Sequence, residues 1–299
     1  MKPASFEYAA PVSLAAALAL KAEHGDEAKF LAGGQSLVPA MNFRLVQAAL
    51  LVDLNDLDDL DYIRLQPDGE LRLGAMVRQR RLERDPLIAR HAPLLHAAMP
   101  VVAHPQIRNR GTLGGSLAHA DPAAELPVVA VALEARLRVQ STRGERWIAA
   151  NEFFLDLFTT ALASDEMLVE VALPPLPPRT GTAFLEFARR RGDYALMGVA
   201  AVVSLDAAGR CERVRLVYLN AGAGPVVAPR AAAALTGQDL TLANLAAAAR
   251  VAADTEITPT GNVHASPAYQ RHLAGVLTRR ALEQAVEGAR QSDNPASPA

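Results

Sequence analysis

Near its start the chain carries an apolar stretch, residues 14–20, with Ser13 placed to cap a helix and Gly25 able to end it. Serine caps a first turn through its hydroxyl, and glycine tolerates the left-handed conformation that closes a helix. The helix is expected to run to about residue 23, and residues 28–32 then form a short apolar strand broken by Gly33-Gly34. Ser36 is placed to cap a second helix, residues 37–45, with Pro39 still in its first turn, where a missing N–H costs little. An apolar run over residues 50–55 closes a β-α-β pattern, and the acidic, turn-rich stretch 55–61 ends the unit.

A second unit begins with a hairpin, residues 62–66 and 70–76, around Pro67-Asp68-Gly69, whose residue types supply the backbone angles of a tight turn. Two short helices are expected between residues 82 and 99, separated by Pro86 and Pro93, and a loop over residues 103–126, rich in Gly, Asn, Asp and Pro. Strand-like runs 128–139 and 167–173 bracket a short helix around residues 153–162. Pro174, Pro175, Pro177 and Pro178 form a stiff linker, because proline continues neither sheet nor helix. Beyond it, residues 183–190, 196–206 and 211–221 read as antiparallel strands, with turns at 206–209 and 222–224. Residues 240–255 and 269–290 read as long alanine-rich helices. The polar residues 291–299 are expected to be disordered, and no solenoid repeat is visible.

Composition narrows the classes. With 299 residues, 51% of them hydrophobic and 21% charged, the chain builds a real core of about two domains, with room for a small third. A net charge of −2 supplies no general field for nucleic acid or anionic lipid. The single cysteine, Cys211, excludes an internal disulfide and any cluster or zinc site held by several thiolates of this chain. The longest apolar run, residues 195–205, falls short of the roughly 18–20 residues that span a bilayer. Residues 14–20 read as helix rather than signal peptide, since Glu7 precedes them and no small-residue cleavage site follows. A soluble, cytoplasmic protein is expected. There is no Walker-type phosphate loop, Gly222-Ala223-Gly224 lacks the third glycine and the following helix of a dinucleotide fingerprint, and the seven histidines are scattered.

Two segments echo each other: Ala32-Gly33-Gly34-Gln35-Ser36-Leu37 and Thr112-Leu113-Gly114-Gly115-Ser116-Leu117. Paired glycines turn successive N–H groups to one side and let a phosphate approach the backbone. The first segment also runs into a helix start, where unpaired N–H groups favour negative charge. Each pair alone is equally an ordinary tight turn; two of them, one per unit, suggest a diphosphate held between. Downstream lies His119-Ala120-Asp121-Pro122-Ala123-Ala124-Glu125-Leu126-Pro127, whose carboxylates are suited to accept from ligand hydroxyls. Upstream, Gln106-Ile107-Arg108-Asn109-Arg110-Gly111 offers cations and amides, or simply solvated charge. The basic cluster 78–84 reads as a solvated helix face or a subunit contact.

Five features in order, Ala-Gly-Gly-Gln-Ser at 32–36, Arg-Asn-Arg-Gly-Thr-Leu-Gly-Gly-Ser at 108–116, Asp-Pro-Ala-Ala-Glu-Leu-Pro at 121–127, Asp-Glu-Met-Leu-Val-Glu at 165–170 and Gly-Asp-Tyr-Ala at 192–195, give a resemblance over residues 1 to 290. The chain resembles the FAD-binding (medium) subunit of molybdenum hydroxylases, of the carbon monoxide dehydrogenase flavoprotein kind within the xanthine dehydrogenase family. The resemblance implies an α+β fold: a two-part FAD-binding unit of the vanillyl-alcohol-oxidase/PCMH type, residues 1–57 and 58–174, then an antiparallel-sheet-plus-helices C-terminal domain, 179–290. It implies that Ala32, Gly33, Gly34, Gln35, Ser36 and Leu37, with Gly111, Thr112, Gly114, Gly115 and Ser116, cradle the FAD diphosphate. Ile107, Ala120 and Arg189 are also implied to bind the cofactor, and Asp121 and Glu125 to lie along the ribityl or adenosine part. Leu168 and Tyr194 lie near the ring systems. Relatives often carry a basic side chain several residues before the Gly-Asp pair; Ala188 falls there, with Arg189 beside it. Ser116 stands where relatives commonly have Asn. His119 is read as bordering the flavin loop or exposed, rather than as an acid–base group.

By the same resemblance the chain is an electron relay. Substrate is oxidised at a molybdenum cofactor in a large subunit, electrons pass through [2Fe-2S] clusters in an iron–sulfur small subunit, and FAD in this chain hands them to an external acceptor, in a dimer of heterotrimers. The lone cysteine suits that division, and no catalytic or metal-ligating residue is expected here. A free-standing flavin oxidoreductase of the same superfamily and a flavin-free assembly subunit are the alternatives.

Overall fold

The structure, a computed structural model, describes residues 2–292. Its amino-terminal layer is three parallel strands in the spatial order Glu7–Ala9, Leu50–Asp53, Ala28–Leu31. Helix Leu14–His24 packs on the last two. Ser13 Oγ accepts the Ala16 N–H at 3.2 Å and Gly25 ends the helix at φ +52°, as the sequence expects. The following helix is shorter than expected, Leu37–Asn42, and the Ser36 hydroxyl makes no capping bond. The edge strand Glu7–Ala9 carries no clear strand signal, because only its pairing with Leu50–Asp53 defines it.

The second sheet is antiparallel, in the order Ile63–Leu65, Leu71–Gly74, Met167–Leu173, Arg136–Ser141, Gly144–Ala149. Its first hairpin turns at Gly69, φ +86°, with Ile63 opposite Leu73. Central strand Met167–Leu173 is buried at every position.

Three expectations in this region need correcting. The run 128–139 is not one strand. Helix Glu125–Ala132 ends, Glu134 turns the chain at φ +53°, and only Arg136–Ser141 is extended. A uniformly apolar run has no period to separate buried helix from buried strand. The expected loop 103–126 contains helices Pro105–Arg108 and Leu113–His119. The expected helix around 153–162 is one turn, Ala150–Phe153, followed by a small hairpin, Phe154–Asp156 with Thr159–Thr160, turning at Phe158 with φ +53°.

Past the prolines comes a third sheet, antiparallel, ordered Thr180–Phe187, Met197–Leu205, Cys211–Leu219, Val226–Val227. Helices Pro229–Leu235, Leu242–Thr255 and Pro267–Gln291 bury one face. The other face is covered by helices Glu125–Ala132 and Pro93–Ala98 from the preceding unit. All nine residues of Met197–Leu205 are therefore out of water, and a sheet covered on both faces reads as a continuous apolar run. Gln291 closes the last helix and Ser292 caps it although the sequence placed both in the polar tail; residues 293–299 of that tail lie outside the described residues. Cys211 is buried in this domain, and burial pushes its thiol up to about 11. No helix among the described residues is long and apolar enough to cross a membrane.

The last helix lies on strand backbone. A Cβ at Gly181 would sit 1.9 Å from the Ala285 carbonyl oxygen and 2.3 Å from the Ala289 nitrogen. Gly181→Ala is expected to lower stability by about 3 kcal/mol, since two backbones must separate to admit the methyl group. A thermal unfolding midpoint equal to wild type would show that the contact is not close-packed in solution.

Candidate functional site

Strand Ala28–Leu31 ends at the carboxyl edge of the parallel sheet, and the chain turns there through Gly33 and Gly34, the latter at φ +71°. Among the described residues no protein acceptor meets the N–H groups of residues 33–37. Five successive free donors in a loop at the carboxyl ends of parallel strands form a cradle for an anion. The Gln35 side chain donates to the Gly33 carbonyl at 3.0 Å and holds the loop from within.

The second glycine pair behaves differently. It lies in the first turns of helix Leu113–His119, where Thr112 is the cap and its Oγ1 accepts the Gly115 N–H at 3.1 Å. Leu113 and Gly114 donate to the Val77 and Ala75 carbonyls, and Ser116 donates to Thr112. These amides are already used, so the pair supplies close approach rather than donors. A Cβ on Gly114 would lie 2.6 Å from the Ala75 Cβ, and one on Gly115 2.7 Å from Thr112 Oγ1 and 3.6 Å from the Ala32 Cβ. The two segments meet directly, since a Cβ on Gly33 would fall 2.5 Å from the Arg110 carbonyl oxygen and 2.7 Å from the Gly111 Cα. Ile107 accepts from Arg110 and Gly111 through its carbonyl and shapes that turn. Arg108, read alternatively as surface charge, is buried in an ion pair with Glu83 at 3.0 Å and donates to the Val102 and Ala103 carbonyls.

A second cluster forms at the other end of the same helix, seven residues and so about 10 Å away along its axis. Ala120 ends the helix at φ +52°, Asp121 Oδ1 accepts the Ala123 N–H at 2.9 Å, and Glu125 opens the next helix. Asn220 fastens this turn to the C-terminal domain: its N–H donates to the Pro122 carbonyl at 2.7 Å and its side-chain amide to the Ala195 carbonyl at 2.9 Å. Tyr194, the neighbour of Ala195, stands 73% exposed near the acidic side chains of Asp121 and Glu125.

Glu186 joins them from strand Thr180–Phe187, and its Oε2 is buried with no hydrogen-bond partner. Burial pushes Glu125 up to about 7 and Glu186 up to about 8; neighbouring Asp121 adds to the first and Glu125 to the second. Among the described residues neither carboxyl has a cationic partner, and both are inclined to keep their protons. Sequence reading missed Glu186 and Asn220; a lone charge inside Ala183-Phe184-Leu185-Glu186-Phe187 was the available signal for the first.

Two expected site residues are elsewhere. The Leu168 side chain is buried in the core, leaving only its backbone to a ligand. Arg189 is exposed, with its guanidinium 3.1 Å from the His264 imidazole. His119 is half-buried against the Phe158 ring, centroids 5.1 Å apart, and burial pushes its imidazole down. Among the described residues no three His, Cys, Asp or Glu side chains gather as a metal site. The residues present suit FAD, because an open amide cradle for a diphosphate and a polar, proton-holding cluster lie at the two ends of one short helix.

Comparison with known proteins agrees. Residues 4–176 match the family described as FAD binding domain in molybdopterin dehydrogenase, and residues 182–285 the CO dehydrogenase flavoprotein C-terminal domain. The chain is 43% identical to the 6-hydroxypseudooxynicotine dehydrogenase complex subunit alpha of Paenarthrobacter nicotinovorans, over 97% of each chain. It is 35% identical to the carbon monoxide dehydrogenase medium chain of Hydrogenophaga pseudoflava, over 95% of this chain and 98% of that one. A chain in the crystal structure of quinoline 2-oxidoreductase from Pseudomonas putida 86 superposes with a TM-score of 0.91 at 38% identity, covering 97% of this chain and 99% of that one.

The raised carboxyls give a pH dependence. An unfolded glutamate ionises near 4.5, whereas the folded pair holds protons to about 7 and 8. The folded state binds more protons across that window, so this contribution is fully present below pH 4.5 and is lost as pH rises through 7 and 8. His119 acts in the opposite sense, but only below its ordinary 6.5. The unfolding midpoint of the whole chain is expected to fall between pH 6.5 and 8.5, and Glu186→Gln to flatten that fall. An equal slope in the variant would mean that Glu186 is already ionised.

Proposed function

The chain belongs to the family of FAD-binding subunits of molybdopterin dehydrogenases, and on that premise we propose that it is the electron-relay subunit of a multisubunit molybdenum hydroxylase. In this reading it receives electrons from the clusters of an iron–sulfur small subunit and passes them to an external acceptor. Substrate oxidation belongs to a molybdenum-binding large subunit, and the assembly is a dimer of heterotrimers in the cytoplasm. The observation that carries the proposal is the loop 33–37, with its five unpaired amides held against residues 110–111 through Gly33.

Bound FAD supplies the redox chemistry, taking electrons singly or in pairs. This chain's residues bind and shield. Residues 33–37 offer their N–H groups to the diphosphate, and the free hydroxyls of Ser36 and Ser116 flank it from the two segments. Gly33, Gly114 and Gly115 keep side chains out of the space where the segments close. At the junction Asp121, Glu125 and Glu186 face the ribityl or ring portion; the last two, inclined to hold their protons, can present donors. Tyr194 covers that end from the C-terminal domain. No residue is assigned to acid–base or nucleophilic chemistry. The largely exposed hairpin side chains Leu155, Leu157 and Phe158, the last of them against His119, are assigned to the contact with the partner that delivers electrons. The ranges 1–57, 58–174 and 179–290 are proposed as the two FAD-binding subdomains and the C-terminal domain.

The deciding experiment is the visible spectrum of the protein purified with its native partners, followed by identification of the flavin released on denaturation. FAD bands together with iron–sulfur absorption support the relay, flavin without partners points to a free-standing oxidoreductase, and a colourless complex overturns the proposal. Gly34→Val is expected to abolish FAD retention, because a β-branched residue is strained at φ +71° and its side chain meets Leu31 and Val38. Stoichiometric FAD in that variant would place the diphosphate elsewhere. Cys211→Ser is expected to leave flavin content and electron transfer intact, read from the same spectrum and from dye reduction by substrate.

A further inference from the structure

A loop with five free donors is not a conformation that a chain adopts unaided, since like-oriented peptide dipoles repel and each N–H seeks an acceptor. Something must hold residues 32–36 in place before an anion arrives. Asn55 Nδ2 donates to the Ala32 carbonyl at 3.1 Å. The peptide unit is planar and trans, so pinning the Ala32 carbonyl on one side turns the Gly33 N–H to the other. The Gln35 amide does the same one peptide later, through the Gly33 carbonyl.

Asn55 is itself held. Its backbone N–H donates to Asp53 Oδ1 at 2.9 Å, its side-chain amide also reaches that oxygen, and the Tyr8 hydroxyl donates to Asp53 Oδ2 at 2.5 Å. On its other side, Arg78 Nη2 donates to Asn55 Oδ1 at 2.6 Å while Nη1 donates to the Arg110 carbonyl. That carbonyl is the group against which Gly33 is pressed. One half-buried guanidinium therefore bridges the two segments from beneath, and among the described residues it forms no ion pair. Its charge stays available to the cradle.

We propose that Arg78 and Asn55 are a positioning pair that sets the amide cradle of residues 32–36 and locks it to residues 110–111 before the cofactor diphosphate binds. This inference rests on the reading of that loop as the diphosphate seat. Arg78 lies in the basic cluster that the sequence presents as solvated charge; its planar fork, reaching two acceptors at once, is what a lysine cannot copy.

The test uses the complex purified with its native partners, freed of flavin and titrated with FAD by fluorescence quenching, with ADP and adenosine as competitors. Arg78→Gln and Asn55→Leu are expected to weaken FAD and ADP by about tenfold each, the effect of about one lost hydrogen-bonded constraint. Adenosine, which lacks the diphosphate, is expected to compete as in wild type, and the melting midpoint of the flavin-free complex to stay put. Arg78→Lys is expected not to rescue. The milder Asn55→Ser provides the same comparison should either larger change prevent folding. Unchanged FAD and ADP affinity in these variants, while Gly34→Val loses both, overturns the positioning role and leaves the seat in place. Full rescue by Arg78→Lys also overturns it, leaving charge alone. Normal affinity in Gly34→Val removes the seat itself and the inference with it.

Discussion

The architecture turns on one helix with no face to water. All eight residues of Glu125–Ala132 are buried, held between helices of the FAD-binding unit and the antiparallel sheet of the C-terminal domain. Each Val or Leu it encloses contributes about 1.5–3 kcal/mol relative to exposure, so the C-terminal sheet is not covered without it. The same constraint fixes the chemistry at the helix start. Asp121 and Glu125 are carried into the junction because the residues behind them must be buried, and Glu125 meets its desolvation by holding a proton rather than by finding a cation. The acidic end of the site is a by-product of how the two domains close.

The two glycine pairs show how alike sequences serve unlike ends. Ala32-Gly33-Gly34-Gln35-Ser36 leaves its amides free, whereas Leu113-Gly114-Gly115-Ser116 spends its amides on Val77, Ala75 and Thr112. The first offers donors, and the second removes bulk so that a helix can lie against Ala75 and Ala32. Their shared property is the missing Cβ, and the surroundings decide what that absence is for. A diphosphate between them, as the family implies, would be gripped from one side and accommodated on the other.

Much of this was legible from the sequence because it depends on local chemistry. The Ser13 and Gly25 caps, the Pro67-Asp68-Gly69 turn and the two alanine-rich helices all follow from nearest neighbours. The ordered motifs pointed to both segments of the candidate site. What stayed hidden depends on distant partners. Helix Glu125–Ala132 has no apolar period because it has no polar face. Arg78 looks like one of several exposed arginines until Arg110, 32 residues on, supplies its acceptor. Asn55 sits in a turn-rich stretch where asparagine needs no special reason. Asn220 acts at 98 residues' distance, through the carbonyl of Pro122.

The treatment of sulfur has a consequence for durability. Cys211 is enclosed in the C-terminal core with its thiol held far from ionisation, and Met41, Met76, Met99, Met167 and Met197 are all buried as well. Oxidation of either residue type begins with access, and for cysteine with thiolate. Under the proposed relay role, reduced flavin that meets oxygen would yield peroxide close to this chain. Every sulfur among the described residues is enclosed by the core, so such peroxide would find no exposed thiol or thioether here to begin on.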